Sequence, residues 1–121
     1  MSRLARIFSF AGVATLAIAG QALAHAHLKS SVPADKASVA SPSELDLTFS
    51  EGVNLKFSGI KVTGPKKEEV KLGNAMLMDS DTTLMVPVSD TLEPGTYKVE
   101  WHALSNDGHK TNGSYNFTVK P

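Results

Sequence analysis

The run "TYKVEWHAL", Thr96 to Leu104, decides the fold class. Tyr97, Val99, Trp101 and Ala103 fall on one side of it, and Lys98, Glu100 and His102 on the other. A period of two belongs to a strand with one dry face and one wet face, because successive side chains of an extended chain point in opposite directions. Working outward, the same period recurs in "LDLTF" (Leu45 to Phe49), in "FSGIKVTG" (Phe57 to Gly64) and in "SYNFTV" (Ser114 to Val119). Between these runs stand turn-forming pairs: Ser41-Pro42, Gly64-Pro65, Gly73-Asn74, Pro94-Gly95 and Asp107-Gly108. No helical period of useful length follows residue 30. Short strands at regular spacing, punctuated by Gly, Pro and Asn, predict a single all-β sandwich of about seven strands. Trp101 is then a core residue filling space between the sheets, and His102 a solvent-facing side chain behind it.

The N-terminus has a different character. "MSRLARIFSFAGVATLAIAGQALA" carries Arg3 and Arg6, then an apolar stretch from Ile7 to Ala19, then Ala22-Leu23-Ala24 in the small-x-small form that signal peptidase accepts. The apolar stretch is shorter than the ~20 residues a membrane span needs, and Gly20 and Gln21 interrupt it. Residues 1–24 therefore read as a cleaved secretory signal and residues 25–121 as one domain, with His25 first and its α-amine free. Beyond residue 24 there are ten lysines, no arginine and twelve acids, a net charge of −2 with neutral histidines. No basic patch suggests nucleic acid, and without cysteine there is neither a disulfide framework nor a thiolate metal site. The processed chain is expected to be periplasmic, monomeric and not membrane-embedded.

Chemistry concentrates in two places, His25-Ala26-His27 and the turn "SNDGHKTNG" that contains Asp107 and His109. A terminal histidine offers its amine and Nδ1 to one ion as a chelate, and a second imidazole completes a nitrogen set of the tetragonal kind that Cu(II) prefers. Asp107 is placed to act as an axial carboxylate or as one standing behind the ligands. Two binding modes are open. In one, the amine, two backbone amides and the His27 imidazole wrap the ion locally. In the other, His25 joins Asp107 and His109 across the fold.

These residues carry a resemblance. "HAHLKSSVPAD" from His25, "LTFSEGV" (Leu47 to Val53), "FSG" (Phe57 to Gly59), "LEPGTYKVEWHALSNDGHKTNG" (Leu92 to Gly113) and "YNFTV" together resemble the CopC family of periplasmic copper-binding proteins, including its shorter YobA-type members. The resemblance implies an immunoglobulin-like or cupredoxin-like Greek-key sandwich with one Cu(II) at one end. It also implies a role in copper carriage, buffering, homeostasis or resistance, and a membrane copper transporter of the CopD type as partner. Its ligands fall on His25, Asp107 and His109, with His27 a further ligand and Glu51 an acid behind them. Relatives that also bind Cu(I) have a methionine-rich loop with a histidine. Here that region reads "KVTGPKKEEVKLG", so no Cu(I) site is expected and Met76 and Met78 are read as packing residues. Two other classes stay open: a copper-dependent oxidative enzyme with a terminal-histidine centre, which would need exposed aromatics, and a plain β-sandwich interaction module.

Overall fold

A computed structural model describes residues 26–121; the expected signal, residues 1–24, and His25 lie outside the described residues. In chain order the strands are β1 (Leu28–Val32), β2 (Ser38–Val39), β3 (Glu44–Phe49), β4 (Gly59–Thr63), β5 (Met76–Met78), β6 (Thr83–Pro87), β7 (Gly95–Leu104) and β8 (Lys110–Val119). They form two four-stranded sheets, ordered β1-β3-β6-β5 and β2-β8-β7-β4. The pairs are antiparallel apart from the short parallel contact of β2 with β8. The chain changes sheet at every step except β5 to β6 and β7 to β8, so each sheet is built from strands distant in sequence.

Alternation along β3, β7 and β8 assembles the core. On β7, Tyr97, Val99 and Ala103 are buried and Trp101 is half-buried, while Lys98, Glu100 and His102 are exposed. Leu45, Leu47 and Phe49 of β3 face them from the other sheet, and Phe117 and Val119 of β8 complete the layer. Tyr97 stacks on Phe117 with centroids 5.4 Å apart, and its hydroxyl donates to the Glu93 carbonyl at 2.7 Å. Phe49 meets Trp101 edge-on at 5.3 Å. Burial of such side chains is worth about 1.5–3 kcal/mol each, and it supplies most of what holds a domain of this size together. Trp101 lies where Gly113, its cross-strand partner, leaves room: a Cβ there would stand 2.7 Å from the indole.

Three details depart from the expected boundaries. There are eight strands where about seven were expected, β2 and β5 having only two and three residues. The run from Phe57 begins in a 3-10 turn, Leu55–Phe57, which Asn54 caps by accepting from the Lys56 amide, and β4 starts only at Gly59. The last strand begins at Lys110, four residues before "SYNFTV". Its polar start is held by pairing with β7, whose ten residues all find a partner.

The outer face of the first sheet carries one conflict. Asp46, on the inner strand β3, has a buried Oδ1 with no hydrogen-bond partner among the described residues. Burial, and a hydrogen bond and repulsion from the neighbouring Glu44 carboxyl, push its pKa up to about 6. The folded state thus binds this proton more tightly than the unfolded chain does. The resulting stabilisation is complete below about pH 4 and is lost as pH rises through 6. The D46N variant should remove this dependence. A shift of two pKa units corresponds to about 3 kcal/mol, which solvent at the sheet surface reduces to roughly 1–2 kcal/mol. Urea denaturation should show the native protein losing that much stability between pH 4 and pH 7 and D46N losing much less.

Candidate metal centre

The ladder of β7 with β8 ends in a turn that is held mainly by one buried hydroxyl. Ser105, 2% exposed, receives the Gly108 amide on its carbonyl at 3.0 Å and donates its own amide to the His109 carbonyl at 2.9 Å. Gly108 closes the turn at φ 93°, a left-handed conformation in which glycine pays no steric penalty. The Ser105 Oγ donates to Asp107 Oδ1, and the His109 amide donates to the same Oγ at 3.3 Å. Asp107 Oδ2 lies 3.1 Å from His109 Nδ1.

This arrangement has a clear electrostatic outcome. The Ser105 hydroxyl first, and the His109 side chain second, hold the Asp107 carboxyl at about 2, well below the usual carboxylate range. Asp107 is therefore an anion at every pH at which an imidazole can be neutral. A carboxylate on Nδ1 fixes the ring's orientation and raises the donor strength of the opposite nitrogen, an arrangement common behind metal-bound histidines. Both side chains remain open to solvent, His109 at 52% and Asp107 at 41%.

The other sequence-selected residues reach the same end of the sandwich by way of the loop after β3. Ala26 is fully buried in the core. The His27 amide donates to Ser50 Oγ at 2.8 Å, and the Ser50 amide donates back to the His27 carbonyl at 2.8 Å. Two residues further on, the Gly52 carbonyl accepts from the Asn106 amide at 3.1 Å, and Val53 forms a bridge with Ser105. Gly52 is required by this approach, since a Cβ would lie 2.6 Å from the Asn106 side-chain nitrogen. His27, Glu51 and the Asp107–His109 turn thus border one rim. Among the described residues, however, no three His, Asp or Glu side chains converge on a common point. Asp107 and His109 are brought together, His27 is exposed at the same end without joining them, and His25 lies outside the described residues. Two residues that organise the rim, Ser50 and Ser105, were not singled out in the sequence. The available signal was the Ser-Asn-Asp-Gly turn signature itself, in which a hydroxyl two residues before Asp bonds back to the chain.

Comparison with known proteins agrees with this architecture. A family model for the CopC domain matches residues 28–120. Protein YobA of Escherichia coli K12 is 47% identical over 115 residues, covering 93% of each chain. Copper resistance protein C of Escherichia coli is 37% identical over 117 residues, covering 90% of this chain and 92% of the relative. Among solved structures, PcoC, described as a methionine-rich copper resistance protein from Escherichia coli, superposes with a TM-score of 0.72 at 39% identity, covering 80% of this chain and all of the other. CopC from Methylosinus trichosporium OB3b gives 0.74 at 33% identity, covering 80% and 95%.

Ser105→Ala removes the hydroxyl that holds Asp107. The Asp107 carboxyl, followed by carbon NMR, should then titrate well above 2 and approach the ordinary range. The melting temperature should fall by roughly 5 °C from the lost buried hydrogen bonds.

Proposed function

The chain belongs to the CopC domain family, and on that premise we propose that it is an exported, periplasmic Cu(II)-binding protein that carries or buffers copper in homeostasis or resistance. Residues 1–24 are the signal that directs export, and His25 becomes the first residue of the working protein. One Cu(II) is held by the His25 amine and imidazole together with His109, with Asp107 orienting or joining the set. His27 stands at the same rim as a further ligand, and Glu51 adds negative charge behind it.

The Asp107–His109 pair carries this reading. A solvated turn histidine needs no carboxylate on its ring nitrogen and no buried hydroxyl behind that carboxylate. A turn prepared to present one imidazole nitrogen in a fixed direction does need them. The openness of the pair suits a carrier, because an ion that must be handed on needs an approach path for the receiving ligands. A membrane copper transporter of the CopD type is the partner that fits. The family supports copper as cargo: relatives of this chain bear copper resistance in their names.

An oxidative enzyme is the weaker fit. Of the six aromatics beyond residue 24, Phe49, Tyr97, Tyr115 and Phe117 are buried and Trp101 is half-buried, which leaves Phe57, about half exposed, as the one exposed ring among them. A polysaccharide platform needs several such rings on one surface.

Two measurements test the proposal. Intact-mass spectrometry of the exported protein should give a chain starting at His25, and a tag left ahead of that residue should weaken Cu(II) binding strongly, since a blocked amine is lost as a ligand. His109→Ala should reduce Cu(II) affinity by a large factor, and excess Cu(II) should raise the melting temperature of the unmodified protein by roughly 10 °C or more, as expected for a ligand at ~100 times its Kd. If binding is local to the terminus, His109→Ala will be silent, His27→Ala will abolish binding, and copper will barely alter thermal stability.

A further inference from the structure

The 3-10 turn Leu55–Phe57 leaves two apolar side chains in solvent, Leu55 at 42% exposure and Phe57 at 55%. Looseness of the chain does not account for them. The turn is strapped at both ends to Leu104, the last residue of β7: the Asn54 amide donates to the Leu104 carbonyl at 2.8 Å, and the Leu104 amide donates to the buried Ser58 Oγ at 3.0 Å. Directly after it, Gly59 pairs with His102, and the imidazole lies so close that a Cβ on Gly59 would stand 3.3 Å from its Cε1. The backbone that carries the Phe57 ring is thus held in place by the fold.

Phe57 lines a cleft of about 370 Å3 together with His102 of β7 and Lys110 and Asn112 of β8. Lys56 lines it too, with its Nζ 5.7 Å from the centroid of the Phe57 ring, within cation–π range. No Asp or Glu lines this cleft. Its cationic character stands out, because residues 25–121 carry ten lysines against twelve acids, and the neighbouring loops hold Glu51, Asp81 and Asp107. An apolar patch with a polar rim marks an interaction surface. An aromatic ring between lysines matches an extended acidic segment that bears one apolar side chain. The cleft takes the apolar group, and Lys56 and Lys110 take the carboxylates. Aromatic anchors carry much of the affinity at protein interfaces, and a backbone ordered in advance loses little freedom on binding. A second copy of the chain fits less well, since a two-fold contact through this face sets Lys56 and Lys110 against their own counterparts. An anionic membrane surface also fits less well, because two lysines at about 1 kcal/mol each give it little hold.

We propose that the cleft between the Leu55–Phe57 turn and the β7–β8 ladder is a protein-docking site for an acidic segment, carrying one apolar side chain, of a partner protein. Lys110 directly follows His109, so a segment seated here lies beside the Asp107–His109 turn. Its use in copper transfer rests on the reading of that turn as part of a Cu(II) site, whereas the docking itself does not.

The test uses the full exported protein, 15N-labelled, and two capped peptides as probes, EEDFDEE and EEDSDEE, equal in charge and different only in the central side chain. The first should shift the backbone amides of Lys56, Phe57, His102 and Asn112 and bind with a Kd of ~1 mM or tighter. The second should bind at least ~10-fold more weakly, and F57A or K56E/K110E should weaken the first by a similar factor. Both variants should melt within a few degrees of the native protein, because all three positions are exposed. F57A should keep native Cu(II) affinity and H109A native peptide affinity, so failure of the docking and failure of the Cu(II) reading give different results. Absent shifts, shifts spread over lysines elsewhere on the surface, or equal binding of the two peptides would overturn the proposal. So would native protein that dimerises through Phe57 in sedimentation, or that binds phosphatidylglycerol vesicles through Phe57 in preference to the peptide. The occupant would then be a second copy or a lipid surface. The amide shifts of the native protein decide the matter even where a variant folds poorly.

Discussion

The ten-pair ladder of β7 against β8 is the constraint on which the rest of the molecule depends. Its inner side contributes Tyr97, Val99, Ala103, Tyr115, Phe117 and Val119 to the core, and its closing turn contributes Asp107 and His109 to the rim. Because both strands are paired along their whole length, the turn is not a floppy connection. Its entry at Leu104 and its exit at Lys110 are themselves a ladder pair. The buried Ser105 then needs only to settle the four residues that follow it, and it does so with short-range hydrogen bonds.

Rigidity in the body and openness at the rim divide the work of this domain. The apolar layer between the sheets carries the stability, so Asp107 and His109 can remain solvent-accessible without endangering the fold. The loop from Ser50 to Asn54 links the two. It ties the His27 backbone on one side and the Asn106 backbone on the other, so segments some eighty residues apart in sequence are held by a few adjacent peptide groups. A rim assembled from such distant pieces exists only in the folded chain.

Much of this was legible in the sequence, and the limits have physical causes. Period-two alternation revealed β3, β7 and the apolar half of β8, because those strands bury one face and wet the other. It could not reveal the polar start of β8 at Lys110–Gly113, which is extended because β7 is extended beside it. It also missed that Phe57 belongs to a capped 3-10 turn, where the apolar residue is exposed at 55% and not part of a strand. Asp107 and His109 were visible as residue types in a turn, whereas the hydroxyl that ionises one and aims the other depends on the turn's closed geometry. Cross-strand register is the least local property of all. Nothing in "MLM" shows that Met85 will stand against Met76, and nothing in "LDLTF" shows that Asp46 will be half-buried on the outer face.

The reciprocal pair of hydrogen bonds between His27 and Ser50, with Ala26 sunk into the core just before it, also sets a polarity for anything joined to the front of the domain. A lipid tether, a reporter or an added tag would leave the body at the rim that carries Asp107 and His109 and crowd that surface. The opposite end of the chain, where β8 runs out at Val119, is at the far end of the ladder from the Asp107–His109 turn. Attachments made there leave the rim clear, so the two termini are not interchangeable as handles for immobilising or displaying this protein.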